Sequence, residues 1–333
     1  MGSCKGGCGA RLGREDPTGR LATQLPAQTE VVLSLDFERA RKSALWKVLS
    51  ELADTAAVNE DGALVAELTR KTGLRPFEDV HRVVAAFPEE ARQTGTFALV
   101  FETESLEPER LVSYAKEEAK ARGSELVSRR HAGFTLWSSQ KPGGPAGFFD
   151  GKERVVLAGG GWAEAMAELS AAGQNAPAGK NTRGNEALWS LVRRLGTAHT
   201  VWLAALVPSA TRKRLMADPR FGAQASVMRF GFTADLHPGL DLRLLAELSN
   251  AEDARVLVGK VQTFLAAASK SPEVLLLGLG PALDGVSAKA EGPRARIEVE
   301  LDEGQTRDLL LRLQAFVGLR RQGKEVPAEP PSQ

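Results

Sequence analysis

"GTFALVFETESLEPERLVSYAKEEAK" (residues 95–120) and "GLDLRLLAELSNAEDARVLVGKVQTF" (239–264) share one order of features. Each opens on a glycine, runs through an apolar-rich strand, reaches a serine (Ser105 or Ser249) and an acidic helix start, and continues as an amphipathic helix. Few identities are shared; the order of elements is what repeats. A second pair points the same way: "SALWKVLSEL" (43–52) and "EALWSLVRRL" (186–195) both contain Ala-Leu-Trp. In the first of these, Leu45, Val48, Leu49 and Leu52 fall on one helical face. The chain therefore reads as two related halves, with Trp46 and Trp189 expected on matching helices.

Around these segments, short strands meet at turn signals. Asp150-Gly151 separates "PAGFF" from "KERVVLAGG", His237-Pro238-Gly239 separates "RFGFTADL" from "LDLRLLAEL", and Gly292-Pro293 precedes "RARIEVELDE". Strands joined this tightly run antiparallel, which argues for an α+β fold of two related halves, antiparallel sheets with helices layered on them, and against a doubly wound parallel sheet. Each half reads as helix, strand, strand, helix, strand, strand, helix, with "TEVVLSLDF" (29–37) as an extra first strand. The expected division is a flexible leader (1–24), a first half (25–170), a linker (171–185), a second half (186–319) and a polar, proline-rich tail (320–333).

At 333 residues with 43% hydrophobic content, the chain can bury a substantial core. Its 43 basic and 42 acidic side chains nearly cancel, so no global positive field favours a phosphate backbone, and nucleic acid is not an expected partner. The longest apolar run, "PEVLLLGLGPAL" (272–283), is broken by glycines and a proline and is too short to span a bilayer. Four histidines (His81, His131, His199, His237) are scattered singly, which does not suit a structural zinc site, and no metal or cofactor is expected.

Both cysteines, Cys4 and Cys8, lie in the leader. A bridge between them would close a tiny loop and stabilise almost nothing. "CKGGCG" followed by the polar run "ARLGREDPTGRLATQ" resembles the mature start of a bacterial lipoprotein, in which the first cysteine carries the acyl chains and a flexible tether leads to the folded domain. Met1-Gly2-Ser3 then reads as a replacement start, and Cys4 as the lipidation site. The absence of cysteine elsewhere suits an oxidising compartment. "LPA" (25–27), a "VVLSLDF" strand and "TGLRPFEDVHRVVAAF" (72–87), with Gly73, Asp79 and Val80, are similar to the plan of bacterial envelope lipoproteins recognised by layout. That resemblance implies a location and an architecture, and no activity. The competing reading is a cytoplasmic chain with a disordered leader.

The catalytic and ligand-binding patterns are weak. "VVLAGGGWAEAMAEL" (155–169) places Gly159, Gly160 and Gly161 between a strand and a helix, where free backbone amides could meet an anion, but Glu164 in the first turn would repel one. "GLGPALDG" (278–285) lacks the third glycine of a dinucleotide fingerprint, and "GQNAPAGKNT" (173–182) has Asn181 where a P-loop needs Ser or Thr. No nucleophile elbow or zinc-protease motif occurs. The five tryptophans (46, 137, 162, 189, 202) read as core, and "RRH" (129–131) and "RKR" (212–214) as solvated faces. The expected function is that of a non-enzymatic, lipid-anchored envelope protein acting as a protein-binding or scaffold module. Its expected partner is another envelope protein, and it meets the membrane through the lipid anchor alone. The alternative is a small-ligand or anion binder using the turn 159–161.

Overall fold

The structure, a computed structural model, describes residues 24–46, 60–140, 143–218, 220–272, 274, 278 and 280–322. Cys4, Cys8 and nearly all of the expected leader and tail lie outside the described residues. Among the described residues twelve strands form one sheet: β1 (Val31–Asp36), β2 (Val80–Phe87), β3 (Phe97–Thr103), β4 (Leu126–His131), β5 (Phe134–Ser139), β6 (Ala146–Phe149), β7 (Arg154–Gly159), β8 (Val201–Leu206), β9 (Val227–Asp235), β10 (Leu240–Leu248), β11 (Val286–Glu291) and β12 (Arg294–Leu301). They lie in the order β11-β12-β10-β9-β8-β1-β2-β3-β7-β6-β5-β4, with every neighbouring pair antiparallel. The fold class is α+β.

The hairpins follow the local chemistry. The three turn signals read above join β6 to β7, β9 to β10 and β11 to β12. A fourth hairpin, with a two-residue turn, joins β4 to β5, where Ala132 (φ 47°) and Gly133 (φ 87°) both adopt the left-handed conformation that matches strand twist.

Both halves are built from the centre outward on one plan. The first places β1, β2, β3 and then β7 side by side; the second places β8, β9, β10 and then β12. In each, the third strand leads into a helix, α2 (Pro108–Ala121) or α6 (Ala251–Ala268), then an edge hairpin, and the last strand returns beside the third. The first half carries two additional strands in its outer part. The quoted segments at 95–120 and 239–264 are β3 with α2 and β10 with α6, in corresponding places. The halves share one continuous sheet because β1 pairs with β8, Leu33 opposite Leu203.

Two expectations need correction. Trp189 lies on α4 (Glu186–Leu195), ahead of the first strand of its half, whereas Trp46 follows the first strand of its own. The shared Ala-Leu-Trp therefore marks two helices of similar amphipathic spacing at different topological positions. The stretch 171–185 is also no free linker. It forms 3-10 turns at Gly173–Asn175, Ala178–Lys180 and Thr182–Gly184, and its backbone bonds to the strand entry through Ala27 N to Lys180 O (3.1 Å) and Thr182 N to Leu25 O (2.8 Å). Asn185 adds an Nδ2 bond to Thr29 O at 2.9 Å.

Helices α3 (Trp162–Ala172) and α4 cover one face of the sheet, and α5 (Ser209–Met216) follows β8. Met166 and Ala167 of α3, with Leu188, Leu191 and Val192 of α4, bury Val84, Val100, Phe148, Val156 and Trp202. Asn185 caps α4, its Oδ1 accepting from Leu188 N at 3.2 Å. Gly231 lies directly beneath Leu195, where a Cβ would collide with the leucine side chain. Beyond α4 that face turns polar. In "RARIEVEL" of β12, Arg294, Arg296, Glu298 and Glu300 alternate with Ala295, Ile297, Val299 and Leu301, so one side faces solvent and the other the core. Buried Glu247 holds α4 to this region, accepting from Arg229 Nε at 2.5 Å and pairing with Arg194.

On the opposite face, α6 packs its stripe of Ala254, Leu257, Val258 and Val261 on Ala288, Ala295 and Ile297. Helix α2 lies over the outer strands of the first half, with Lys116 Nζ 5.2 Å from the centre of the Trp137 ring. Alongside it runs α1 (Glu60–Thr72), tied to it by Lys71 Nζ and Glu117 Oε2 at 2.9 Å. Two helices of one kind thus sit over two outer hairpins, with the central strands between them.

Candidate functional site

The central strands carry apolar residues at both parities. In β1, Val32 points to α3 and α4 while Val31, Leu33 and Leu35 point away; β8 and β3 do the same with "VWLAAL" and "FALVF". A strand in a one-sided sheet alternates apolar with polar, so apolarity at both parities implies that both faces meet apolar surroundings.

On the face away from α3 and α4, cross-strand partners fall into one row across the sheet. From the first half to the second it reads Trp137, Gly147, Leu157, Leu99, Ala85, Leu33, Leu203, Phe232, Leu244, Ile297. Its ends lie beneath helices: Trp137 under Lys116 of α2, and Ile297 in the α6 cluster. Among the described residues the middle is partly exposed, with Ala85 alone buried, at 6%. Leu33 and Leu157 are each 37% exposed, and Leu99, Leu203 and Phe232 are half-buried. Flanking rows add Val31, Leu35, Val83, Phe101 and Val201, all half-buried. On the covered face of the same strands, Val32, Val84 and Trp202 are at most 1% exposed. Contiguous exposed apolar surface of this kind marks interaction sites in folded proteins.

Polar clusters border this surface. At one end of the central strands, burial first and then Glu89 push the Glu30 carboxyl above the usual carboxylate range. At the other end, buried Asp36 accepts from Arg39 N at 2.9 Å and lies 3.5 Å from Arg82 Nε, while Arg82 Nη1 donates to Glu102 at 2.6 Å. His199, between α4 and β8, is held on both ring nitrogens: Nδ1 meets Asp235 at 2.7 Å and Nε2 meets Leu195 O at 3.1 Å. These groups pin strand ends and helix starts. Among the described residues no group of three His, Cys, Asp or Glu side chains converges to hold a metal, and no helix is long and apolar enough to cross a membrane.

The glycine turn is built for packing. Gly159 ends β7 against Gly95 O, and a Cβ on Gly160 would run into Thr96, so both are pressed against the start of β3. Gly160 (φ 61°) and Gly161 (φ 84°) take left-handed backbone to launch α3, with Gly161 as its N-cap. A groove of about 530 Å³ runs beside the turn, lined also by Val127, Arg129, Ser138 and Glu164. The Arg129 guanidinium there is paired with the Glu164 carboxylate, so the cation nearest the helix start is already neutralised. The turn is roomy on one side, but its electrostatics do not favour an anion.

No family model matches the chain, and no curated protein matches it. Among solved structures, "Structure of crystal form I of TP0453" aligns over 87% of this chain and 97% of its own, at 12% identity and a TM-score of 0.41. Nothing about function follows from a likeness at that score.

The central apolar face was missed in reading the sequence. Its signal was present in "VVLSLD", "FALVF" and "VWLAAL", but a strand apolar on both sides reads equally as one buried on both sides.

Proposed function

We propose that this chain is a non-enzymatic, lipid-anchored envelope protein that binds a protein partner, itself an envelope protein, on the open centre of the sheet between α2 and α6. The observation that carries the reading is the row through Leu157, Leu33 and Leu203. It is apolar along its whole length, covered at both ends, and more than a third exposed at Leu33 and Leu157. A sheet face offers a broad, rigid surface whose shape is set by side-chain pairs, which suits a protein better than a small molecule. The leader supports the location: Cys4 and the polar run after it give an acylated cysteine and a tether that keeps the body clear of the bilayer.

Two variants test the two parts separately. In the native host, a palmitate analogue is expected to label the wild type and not Cys4→Ala; an unlabelled wild type removes the anchor. Replacing Leu33 by Asp and Leu203 by Lys, which puts opposite charges on the facing pair, is expected to abolish co-purification of the partner while leaving labelling and the thermal transition in place. Retention of the partner by the doubly substituted protein would remove the central face from the reading.

A further inference from the structure

The two halves place corresponding helices over corresponding outer strands, yet close them differently. Helix α6 buries Ala254 and Val258 against its hairpin. Helix α2 buries no residue, and beneath it lies a groove of about 550 Å³, within the range of small-molecule sites. The sequence accounts for the difference. The stripe that α2 turns to this groove, Glu109, Val112, Ser113 and Lys116, has helical spacing but one apolar member, whereas the floor offers Trp137 and Phe149. A polar stripe over an aromatic floor is a poor core and a good amphiphile site.

Electrostatics select the ligand. Lys116 and Arg130 stand at the groove with no carboxylate partner among the described residues: Lys116 lies over the Trp137 ring, and Arg130 Nη1 reaches Gly133 O at 3.4 Å. With Glu109 they give the groove one net positive charge. We propose that this groove binds a small amphiphilic monoanion, its apolar body on Trp137 and Phe149 and its carboxylate at Lys116 and Arg130. A carboxylate there gains charge-assisted hydrogen bonds without breaking an ion pair, and the apolar body shields an indole and a phenyl ring.

The full chain, labelled with nitrogen-15, tests this through the indole N–H of Trp137, assigned by its loss in Trp137→Phe. The probes are decanoate, 2-naphthoate, decanol and decyltrimethylammonium, each below its micellar concentration. Decanoate or 2-naphthoate is expected to move the Trp137 signal in a saturable way, the tighter of the two reporting a chain or a ring as the body. Decanol and the ammonium are expected to bind about tenfold or more weakly, and Lys116→Ala with Arg130→Ala to weaken the carboxylate by a similar factor while leaving decanol unchanged. Val112→Trp, which fills the groove, is expected to abolish the shift with the other indole signals kept as a check on folding. The proposal is overturned if neither carboxylate moves Trp137, if decanol binds as tightly as the carboxylates, or if the double alanine variant binds them undiminished.

Discussion

Leu33 and Leu203 stand directly opposite each other on β1 and β8, and the two halves of the molecule are arranged about the point between them. Val31 meets Ala205 on one side and Leu35 meets Val201 on the other, so the pairing is antiparallel and nearly symmetric about the two leucines. One pair of first strands therefore makes a single sheet of two halves, and its outward face is the most exposed apolar part of the centre.

The partner residues on the covered side carry a cost. Ser34 lies opposite Trp202, and Ser34 Oγ and Trp202 Nε1 are both buried without a hydrogen-bond partner among the described residues. Removing an unbonded buried hydroxyl costs nothing in hydrogen bonding, so Ser34→Ala is expected to leave stability unchanged or raise it by up to about 1 kcal/mol. Urea unfolding measures this; a loss above about 1 kcal/mol would mean that the hydroxyl is bonded in the folded protein.

Glu247 presents the opposite case. Its carboxylate is 9% exposed and holds Arg229 of β9 and Arg194 of α4, while Arg229 Nη1 also donates to Ala187 O at 2.6 Å and Ser190 Oγ at 2.8 Å. Glu247→Ala leaves a half-buried guanidinium unpaired and is expected to cost about 3 kcal/mol by chemical denaturation. Pairing Glu247→Leu with Arg229→Met is expected to recover part of that loss, since it removes the more buried guanidinium and leaves only Arg194, whose side chain is 38% exposed, without its carboxylate. A double variant no better than Glu247→Ala would mean that the arginine's bonds to α4 carry the stability instead.

The His199 and Asp235 pair gives a pH signature. The hydrogen bond that His199 Nδ1 donates to Asp235 raises the His199 pKa above its ordinary value of about 6.5, against the opposing effect of burial. Burial works against the Asp235 carboxylate, but bonds from His199 and Thr200 N hold its pKa below the usual range. The histidine's contribution is therefore complete below about pH 6.5 and fades as pH rises through the raised value; the aspartate's is complete above about pH 4 and fades as pH falls through the lowered one. The stability gap between wild type and His199→Gln is expected to be wide at pH 5.5 and narrower at pH 9. A gap that does not narrow at pH 9 would contradict a charged pair.

At the glycine turn, Gly160 and Gly161 both have positive φ, but a Cβ on Gly160 also meets Thr96 while one on Gly161 meets open space. Gly161→Ala is expected to cost about 1 kcal/mol and Gly160→Ala about 3 kcal/mol or more, read as shifts in unfolding midpoint. Equal costs would mean that Thr96 moves aside, leaving the conformational term alone.

What the sequence made legible was local. Asp150-Gly151, His237-Pro238-Gly239 and Gly292-Pro293 each mark a hairpin, and the shared order of glycine, strand, acidic helix start and amphipathic helix locates β3 with α2 and β10 with α6. What was not legible depends on contacts between distant residues. Nothing near Leu33 or Leu203 specifies that β1 and β8 pair. Ala-Leu-Trp misled because apolar residues at helical spacing recur wherever a helix packs, at Trp46 and Trp189 alike. The groove under α2 was invisible for a third reason. Its polar stripe reads as an ordinary solvated helix face until the sheet places Trp137 and Phe149 beneath it.

The most direct test of the central claim is photo-crosslinking in intact cells of the native host, with benzoylphenylalanine at position 33 and, as a control on the charged opposite side, at position 243. The account predicts a discrete adduct with one envelope protein from position 33, lost when Leu203 is also changed to Asp, and none from position 243. Equal adducts from both positions, or none from position 33, would contradict a partner seated on the central face of the sheet.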